Sequence, residues 1–321
     1  MAKKFRILSL DGGGLRGIVP LLVLKRIEEM TGKKIHELFD VIVGTSTGGI
    51  IACGLTCTKD GVNPSLSIDQ LIELYTTKGN IIFPRRTNFI SKAIGGIKSA
   101  FGPKFSPKGL DGLLKEYFGE LTLKDVLKPV IVTSYDIKNN DVVMFKTRNA
   151  VWDKERYDVK LSDACRATSA APTYLPSFEI KFDGKERVCI DGGIYINNPV
   201  MAAVSDALRS VEGLTLKDIE CLSLGTGVYS ESLDDKTEGW GLLGWAMPIT
   251  TIMMQASSKS STYEASELLK KHLRLQINIY DKKKSDMADS SPQTTKYIIE
   301  RVEKDIFENE RKMEELKKFF K

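Results

Sequence analysis

Apolar residues along this chain form short continuous runs that alternate with longer stretches of helical periodicity. FRILSL (Phe5–Leu10) and FDVIVG (Phe39–Gly44) are short and apolar, as expected of strands buried on both faces. The segment IVPLLVLKRIEEMTG between them has the apolar spacing of a helix and ends at Gly32. A strand, a turn and a helix, repeated within fifty residues, predict a parallel sheet with helices on its faces.

Four later apolar runs predict further strands of the same sheet: 129–136, 141–147, 187–193 and 219–227. We therefore expect an α/β fold with three layers, helices on both sides of a mostly parallel central sheet. Residues 1–285 are assigned to one domain. From about residue 294 to 321 we expect one charged helix, within a C-terminal segment 286–321 that packs on the domain or on a partner in a homo-oligomer. The apolar positions of that helix are Ile298, Ile299, Val302, Ile306, Met313 and Leu316.

Composition narrows the function classes only a little. The chain is 42% hydrophobic and 28% charged, as in an ordinary soluble globular protein, and a net charge of +5 is too small to predict binding to a nucleic acid polymer. The five cysteines include no CxxC pair, so neither a metal site nor another cofactor is expected. No secretory signal and no run of 18 apolar residues is recognisable, which predicts a cytoplasmic protein.

Two segments depart from the α/β rhythm. Residues 74–110 contain no Asp or Glu but seven Lys or Arg, interleaved with Phe and Ile. Residues 240–254, WGLLGWAMPITTIMM, carry no charge. The first is either a solvated basic loop or a surface for anionic lipid headgroups. The second is either ordinary core, the wall of an apolar channel, or a lid.

The first turn, DGGGLRG (11–17), matches GxGxxG between a strand and a helix. A dinucleotide site would need an acidic residue at the end of the next strand, but Asp40 lies at its beginning. A Walker A loop is excluded, because no Lys-Ser/Thr pair follows Gly17. Two interpretations stay open: a tight turn without a ligand, or an oxyanion hole in which glycine N–H groups surround an anion.

The second turn, GTSTG (Gly44–Gly48), is a GxSxG motif between a strand and a helix, the context of a nucleophile elbow. Ser46 then needs a base. The chain has two histidines, His36, just before the second strand, and His272, in a charged stretch typical of a solvated surface. The other candidate is Asp191 in DGG (191–193), at the end of a predicted strand. Its ordinary pKa of about 3.9 makes it a weak base unless burial raises that value.

These three motifs, in this order, resemble the patatin-like phospholipase family, which is related in fold to cytosolic phospholipase A2. ATSAAPTYLP (Ala167–Pro176) and VTSYD (Val132–Asp136) are also similar to that family, and the resemblance covers roughly residues 5–230. It implies hydrolysis of lipid acyl esters by a serine–aspartate dyad without metal. The residues it assigns are the nucleophile Ser46, the base Asp191, the oxyanion-hole residues Gly12, Gly13, Gly14 and Arg16, and the supporting motif positions Asp11, Gly17, Gly44, Gly48, Gly192 and Gly193.

The resemblance also implies partners. A phospholipase meets its substrate at a membrane, so we expect peripheral association with the inner face of the membrane. Some bacterial members of similar size are membrane-degrading effectors in antiviral defence that a cyclic nucleotide switches on. The C-terminal third is where such an activator, or an oligomer contact, would bind. The rival hypotheses are a Ser46/His272 esterase and a non-catalytic lipid- or nucleotide-binding protein.

Overall fold

An eight-stranded sheet forms the centre of the computed structural model, which describes residues 4–85, 102–229, 237–241, 244–245 and 248–321. The strands are β1 (Phe5–Leu10), β2 (Val41–Thr45), β3 (Val130–Asp136), β4 (Asp141–Lys146), β5 (Phe178–Phe182), β6 (Lys185–Asp191), β7 (Ile219–Leu224), β8 (Val228–Tyr229), β9 (Lys271–Leu275) and β10 (Asn278–Ile279). Their order in the main sheet is β5-β6-β3-β2-β1-β7-β9, and β4 also pairs with β3. Strands β8 and β10 form a separate small sheet.

Five neighbouring strands of the main sheet run parallel to one another: β3, β2, β1, β7 and β9. Strands β4, β5 and β6 are antiparallel to the strands that they pair with. The expectation of a mostly parallel sheet is therefore confirmed. All six predicted strands are present, although the ends differ by up to three residues. The sequence did not predict β5, β8, β9 or β10. Strand β9 contains His272, so that histidine lies in the sheet, half-buried, and the expectation of a solvated surface position was wrong.

Helices cover both faces of the sheet. They are α1 (Ile18–Thr31), α2 (Ile35–Leu38), α3 (Thr47–Thr56), α4 (Ile68–Thr76), α5 (Gly79–Ile82), α6 (Lys108–Phe118), α7 (Thr147–Trp152), α8 (Lys154–Tyr157), α9 (Leu161–Thr168), α10 (Val200–Ser210), α11 (Pro248–Leu268), α12 (Pro292–Val302) and α13 (Glu310–Phe319). Alternate residues of a strand point to opposite faces. Ile42 of β2 accordingly packs with α1 and α3, whereas Val41 and Val43 pack with α10. This is the three-layer α/β/α architecture expected from the sequence.

The end of the chain is not the single helix that the sequence predicted. A five-residue π-helical turn, Glu303–Phe307, follows α12, and α13 begins separately because the Asn309 side chain accepts the N–H of Lys312 as its cap. Ile298, Val302, Ile306 and Leu316 are buried in the core beside α1, but Ile299 is 40% exposed. Across the described residues, no helix is both long and apolar enough to span a bilayer.

Candidate active site

Ser46 lies in the turn between β2 and α3 with a backbone that serine rarely adopts. Its φ is 54° and its ψ is −122°, a strained conformation that costs about 1–3 kcal/mol and persists only where the surroundings enforce it. The Ser46 N–H donates to Oγ1 of Thr168 at 2.7 Å. Thr168 lies at the end of α9, inside the ATSAAPTYLP segment. A strained serine between a strand and a helix is the backbone geometry that a nucleophile elbow requires.

Positions 44 and 48 require glycine because neighbouring backbone atoms occupy the space that a side chain would need. A Cβ at Gly44 would lie 2.1 Å from the carbonyl oxygen of Gly48, and a Cβ at Gly48 would lie 2.2 Å from that of Leu10. Both glycines therefore permit the sharp turn that raises Ser46 above the end of β2. Gly17 has a related role, since a Cβ there would lie 2.3 Å from Oγ1 of Thr47.

Strand register brings Asp191 to the serine. Strand β4 covers one edge of β3 over residues 131–136, so β2 and β6 share the other edge. On that edge Thr45 is opposite Thr133, and Asp191 is opposite Ser134, the next residue. The end of β2 and the end of β6 therefore meet. Gly192 allows this meeting, because a Cβ there would lie 2.4 Å from Oγ1 of Thr133.

The Asp191 carboxyl group is buried, and burial raises its pKa to about 6. The Gly193 N–H, which donates to Oδ1 of Asp191 at 2.7 Å, and the Ser46 hydroxyl, which also donates to this carboxylate, oppose that rise. Desolvation outweighs both bonds, because it penalises the charged form. A carboxylate with this pKa is ionised at neutral pH yet accepts a proton far more readily than an ordinary aspartate.

The glycine-rich turn lies beside Ser46, but its three glycines are not equivalent. A Cβ at Gly12 would lie 3.3 Å from Cβ of Ser46. The Gly12 N–H already donates to the carbonyl oxygen of Asn197 at 3.1 Å. Within the described part of the chain, the N–H groups of Gly13 and Gly14 donate to no acceptor. The described structure thus leaves two unbonded N–H groups among these glycines, whereas the family resemblance implied three donors.

Asp11 is held by a residue that the sequence analysis missed. Arg274 of β9 donates to the two carboxylate oxygens of Asp11 at 2.7 and 2.5 Å, and the Ser258 hydroxyl donates to the same carboxylate at 3.1 Å. Asp11 is 1% exposed, so this pairing compensates its buried charge. An arginine in a short, charged strand carries no local motif, so sequence reading alone had no signal for it.

Residues 281–291, which we call the C-terminal strap, cross the glycine-rich turn. The carbonyl oxygen of Met287 accepts the Leu15 N–H at 2.8 Å, and a Cβ at Gly14 would lie 2.4 Å from that oxygen. The Arg16 guanidinium donates to the carbonyl oxygen of Ser285 at 3.4 Å, and burial lowers its pKa. Residues of the C-terminal third therefore hold the glycine-rich turn in place.

The histidines do not reach Ser46. Across the sheet, Gly44 of β2 is level with Leu275 of β9, and β9 lies three strands away from β2. His272 precedes Leu275 by three residues, so it lies further from the end of β2 that carries Ser46. Strand spacings then separate His272 from the serine turn by roughly 17 Å. His272 instead contacts the Ser266 hydroxyl through Nδ1 at 3.0 Å, and burial lowers its pKa to about 4. His36 lies on α2, ahead of β2.

Two cavities adjoin the glycine-rich turn. A narrow apolar pocket of about 40 Å³ has Ser46 in its wall and is lined mainly by Leu15, Ile50, Leu74, Tyr75, Ile82, Phe83, Leu110, Leu175 and Met287. A larger cleft of about 690 Å³ opens on the side of Gly12 and Asn197; we call it the polar cleft because most of its lining residues carry a polar group. Tyr174 and Met287 belong to the walls of both. Among the residues that the structure describes, no cluster of His, Cys, Asp or Glu could hold a metal ion.

The two unusual segments are only partly described. The ends of the basic segment 74–110 supply Leu74, Ile82 and Leu110 to the apolar pocket, and residues 86–101 lie outside the described part. Of the uncharged segment, Thr251 and Met254 line the polar cleft, whereas residues 242–243 and 246–247 lie outside the description.

Known proteins are similar to this chain in sequence. The profile of the patatin-like phospholipase family matches residues 8–204. Patatin-08 of Solanum tuberosum is 30% identical, over 92% of this chain and 81% of that protein. Patatin-like protein 2 of Arabidopsis thaliana is 32% identical, over 82% of this chain and 72% of its own. The crystal structure of VipD from Legionella pneumophila aligns with a TM-score of 0.40 at 13% identity, covering 94% of this chain and 67% of VipD.

Proposed function

The chain belongs to the patatin-like phospholipase family, and from this we propose that it hydrolyses lipid acyl esters with Ser46 as nucleophile and Asp191 as general base. The family supports lipid acyl hydrolysis as the activity. The observation that supports the dyad is the shared edge of β3, where the end of β2 meets the end of β6 and the Ser46 hydroxyl donates to Asp191.

In the proposed mechanism, Asp191 takes the hydroxyl proton as Ser46 Oγ attacks the ester carbonyl carbon. The N–H groups of Gly13 and Gly14 stabilise the oxyanion that forms, aided by the N-terminus of α3. Protonated Asp191 then gives its proton to the departing alcohol and leaves an acyl-serine. A water molecule, deprotonated by Asp191, attacks the acyl-serine, and the fatty acid leaves as Ser46 recovers its proton.

The apolar pocket supports the choice of a fatty acyl substrate. Its lining is almost entirely hydrocarbon, and Ser46 stands in its wall, so an acyl chain in this pocket presents its carbonyl carbon to the nucleophile. At about 40 Å³ the pocket is narrow, and side chains such as Phe83 and Met287 would have to move when a long chain enters.

The test is fatty-acid release from phospholipid vesicles in the presence of a chelator. We expect Ser46→Ala to abolish release while circular dichroism stays unchanged, and the matched variant Ser106→Ala, at an exposed serine, to keep wild-type activity. Full activity in Ser46→Ala refutes the nucleophile. Absence of release by the wild type under every condition favours the non-catalytic lipid- or nucleotide-binding protein.

Membrane association belongs to the same proposal. We assign binding of anionic lipid to the basic segment 74–110 on the strength of its charge alone. Changing Arg85, Arg86 and Lys92 together to Glu should weaken co-sedimentation with anionic vesicles. Unchanged co-sedimentation would remove this segment from the proposal.

Regulation by a cyclic nucleotide, as in an antiviral effector, is a further part of the proposal. The attachment of Asp11 to Arg274 and of Leu15 to Met287 supports it, because a ligand bound to the C-terminal third would act directly on the glycine-rich turn. The release assay with a panel of cyclic di- and trinucleotides tests it. Equal release with and without every nucleotide refutes this regulation and leaves the hydrolase untouched.

A further inference from the structure

The carboxamide of Asn197 is buried beside the nucleophile and makes no hydrogen bond with the described fold. Asn197 lies between β6 and α10 and is 8% exposed. Its Oδ1 is buried without a partner, and its Nδ2 donates to no acceptor among the residues that the structure describes. Buried polar side chains are normally bonded, and each exception needs a physical reason. We looked for that reason in the surroundings of the side chain.

The next residue shows what a structural asparagine looks like in this loop. Asn198 is fully buried, and its Oδ1 accepts the hydroxyl groups of Ser9 at 3.0 Å and Ser223 at 3.3 Å. Its Nδ2 donates to Oγ1 of Thr262 at 3.1 Å. This side chain therefore ties β1, β7 and α11 together. The side chain of Asn197 has no such part in the fold.

The backbone of Asn197 is nevertheless fixed on both sides. Its N–H donates to Oγ of Ser257 on α11 at 3.2 Å, and its carbonyl oxygen accepts the Gly12 N–H at 3.1 Å. These bonds attach the residue to the glycine-rich turn. They also occupy the Gly12 N–H, which is then no donor for an oxyanion.

The carboxamide lies next to both members of the proposed dyad. A Cβ on Gly12 would lie 2.5 Å from Oδ1 of Asn197 and 3.3 Å from Cβ of Ser46. A Cβ on Gly193 would lie 3.2 Å from the same Oδ1 and 3.1 Å from Oδ1 of Asp191. One glycine thus separates the amide from the nucleophile, and another separates it from the base.

The surroundings of Asn197 also determine which end of the amide faces the polar cleft. The hydrogen that stands in the place of Cβ on Gly12 is directed at Oδ1, a contact that suits an acceptor and would repel an N–H group. Oδ1 is therefore the inner end. Nδ2 is the end that is not enclosed, and Asn197 belongs to the wall of the polar cleft. The cleft consequently has a fixed N–H donor without an acceptor.

We propose that Asn197 is a further donor of the oxyanion hole, and this rests on the proposed function. As the bond from Ser46 Oγ to the ester carbon forms, the hydroxyl proton passes to Asp191. The π electrons of the carbonyl move to its oxygen, which becomes the acceptor that Nδ2 lacks. The side chain thereby replaces the Gly12 N–H that its own backbone occupies. Because this donor is in place before the reaction, it stabilises the transition state without reorganisation.

The first experiment measures steady-state kinetics on the soluble ester p-nitrophenyl butyrate, which removes vesicle binding from the comparison. A donor to the oxyanion acts only in the transition state. We therefore expect Asn197→Ala to lower kcat roughly 10²–10³-fold while KM stays within about twofold of wild type. The matched control Asn278→Ala, at an exposed asparagine of β10, should keep kcat and KM within about twofold.

Thermal unfolding of the same variants separates chemistry from folding. Asn197→Ala should keep the Tm of the wild type, because the amide makes no described hydrogen bond. Asn198→Ala should lower the Tm, because it removes the bonds that tie the sheet to α11.

The second experiment compares a mimic of the transition state with a mimic of the substrate. An alkyl trifluoromethyl ketone adds to Ser46 Oγ and leaves an oxyanion, whereas the parent methyl ketone binds with its carbonyl group intact. For Asn197→Ala, the inhibition constant of the trifluoromethyl ketone should rise by about the factor lost in kcat/KM, and that of the methyl ketone should not change. Asn198→Ala should keep the ratio of the two inhibition constants.

Two outcomes with an active wild type overturn the proposal alone. One is an unchanged kcat in Asn197→Ala, including a change in KM only, which would make the amide a contact to the bound substrate. The other is a lower kcat with an unchanged ratio of inhibition constants, which would show a structural role. A wild type that neither hydrolyses the ester nor binds the trifluoromethyl ketone would refute the proposed function, and this proposal with it.

Discussion

Replacing Asp191 by Asn should make the protein more stable and at the same time nearly inactive. The pKa of Asp191 rises from 3.8 to about 6 because the carboxyl group is buried. A tenfold change in proton affinity corresponds to about 1.4 kcal/mol, so the ionised carboxylate costs the folded protein about 3 kcal/mol. Asparagine has the same shape, can still accept the Gly193 N–H, and never ionises.

The pH dependence of this gain identifies its cause. A raised carboxyl pKa destabilises the folded state fully above pH 6, and the penalty disappears as pH falls toward 3.8. We expect Asp191→Asn to raise the free energy of unfolding by about 3 kcal/mol at pH 8 and by about 1 kcal/mol at pH 4.5. Urea denaturation of both proteins at the two pH values measures the difference. Asp69→Asn, at an exposed carboxylate, is the control and should change by less than about 1 kcal/mol.

Activity should also depend on the ionisation of Asp191. The base must be deprotonated, so kcat/KM of the wild type should fall as pH drops through about 6. Asp191→Asn should lose roughly 10²–10⁴-fold in kcat, the usual contribution of a general base. A variant that is less stable at pH 8, or equally stabilised at both pH values, would show that ionisation of Asp191 carries no such cost, and the account of its basicity would fail.

Three further changes test the surroundings of the dyad. Gly44→Ala places a methyl group 2.1 Å from the Gly48 carbonyl oxygen, so the free energy of unfolding in urea should fall by about 3 kcal/mol; an unchanged midpoint contradicts the tight elbow. His272→Ala should keep fatty-acid release within about twofold, and a loss of a hundredfold would favour a histidine-dependent esterase. Arg274→Gln leaves Asp11 buried without its cation, which should cost about 3–5 kcal/mol in thermal or urea unfolding and lower kcat, whereas a neutral result would show that Asp11 needs no such partner.

The sequence predicted the parts of the fold that depend on local pattern. Continuous apolar runs gave β1, β2 and β3, and Gly32, which adopts a left-handed conformation with φ 67°, ended α1 where expected. Strand β9 was not predicted because KHLRL lacks the apolar run of a central strand; among the described strands it pairs only with β7. The break before Asn309 escaped it because the apolar spacing continues on both sides of the cap.

In the candidate site, too, the sequence indicated the residues of local motifs but not the long-range contacts. The motifs indicated Ser46 and Asp191, and the register of β2 and β6 against β3 places them together. The contacts that sequence reading could not supply are those made across long separations, from Arg274 to Asp11 and from Met287 to Leu15. No periodicity or motif links residues more than 260 positions apart, so only the folded chain shows that the glycine-rich turn depends on them.

This dependence has a consequence for when the proposed catalytic site can form during synthesis of the chain. A ribosome that has made residues 1–230 has already supplied Ser46, Asp191 and the glycine-rich turn. Asp11 still lacks Arg274 at that stage, and the Leu15 N–H still lacks the Met287 carbonyl oxygen. The nascent chain at this stage therefore carries every motif residue, but the contacts that hold the glycine-rich turn are still missing. We therefore expect the proposed hydrolase to become active only after its last third has been synthesised and has folded back over the first turn.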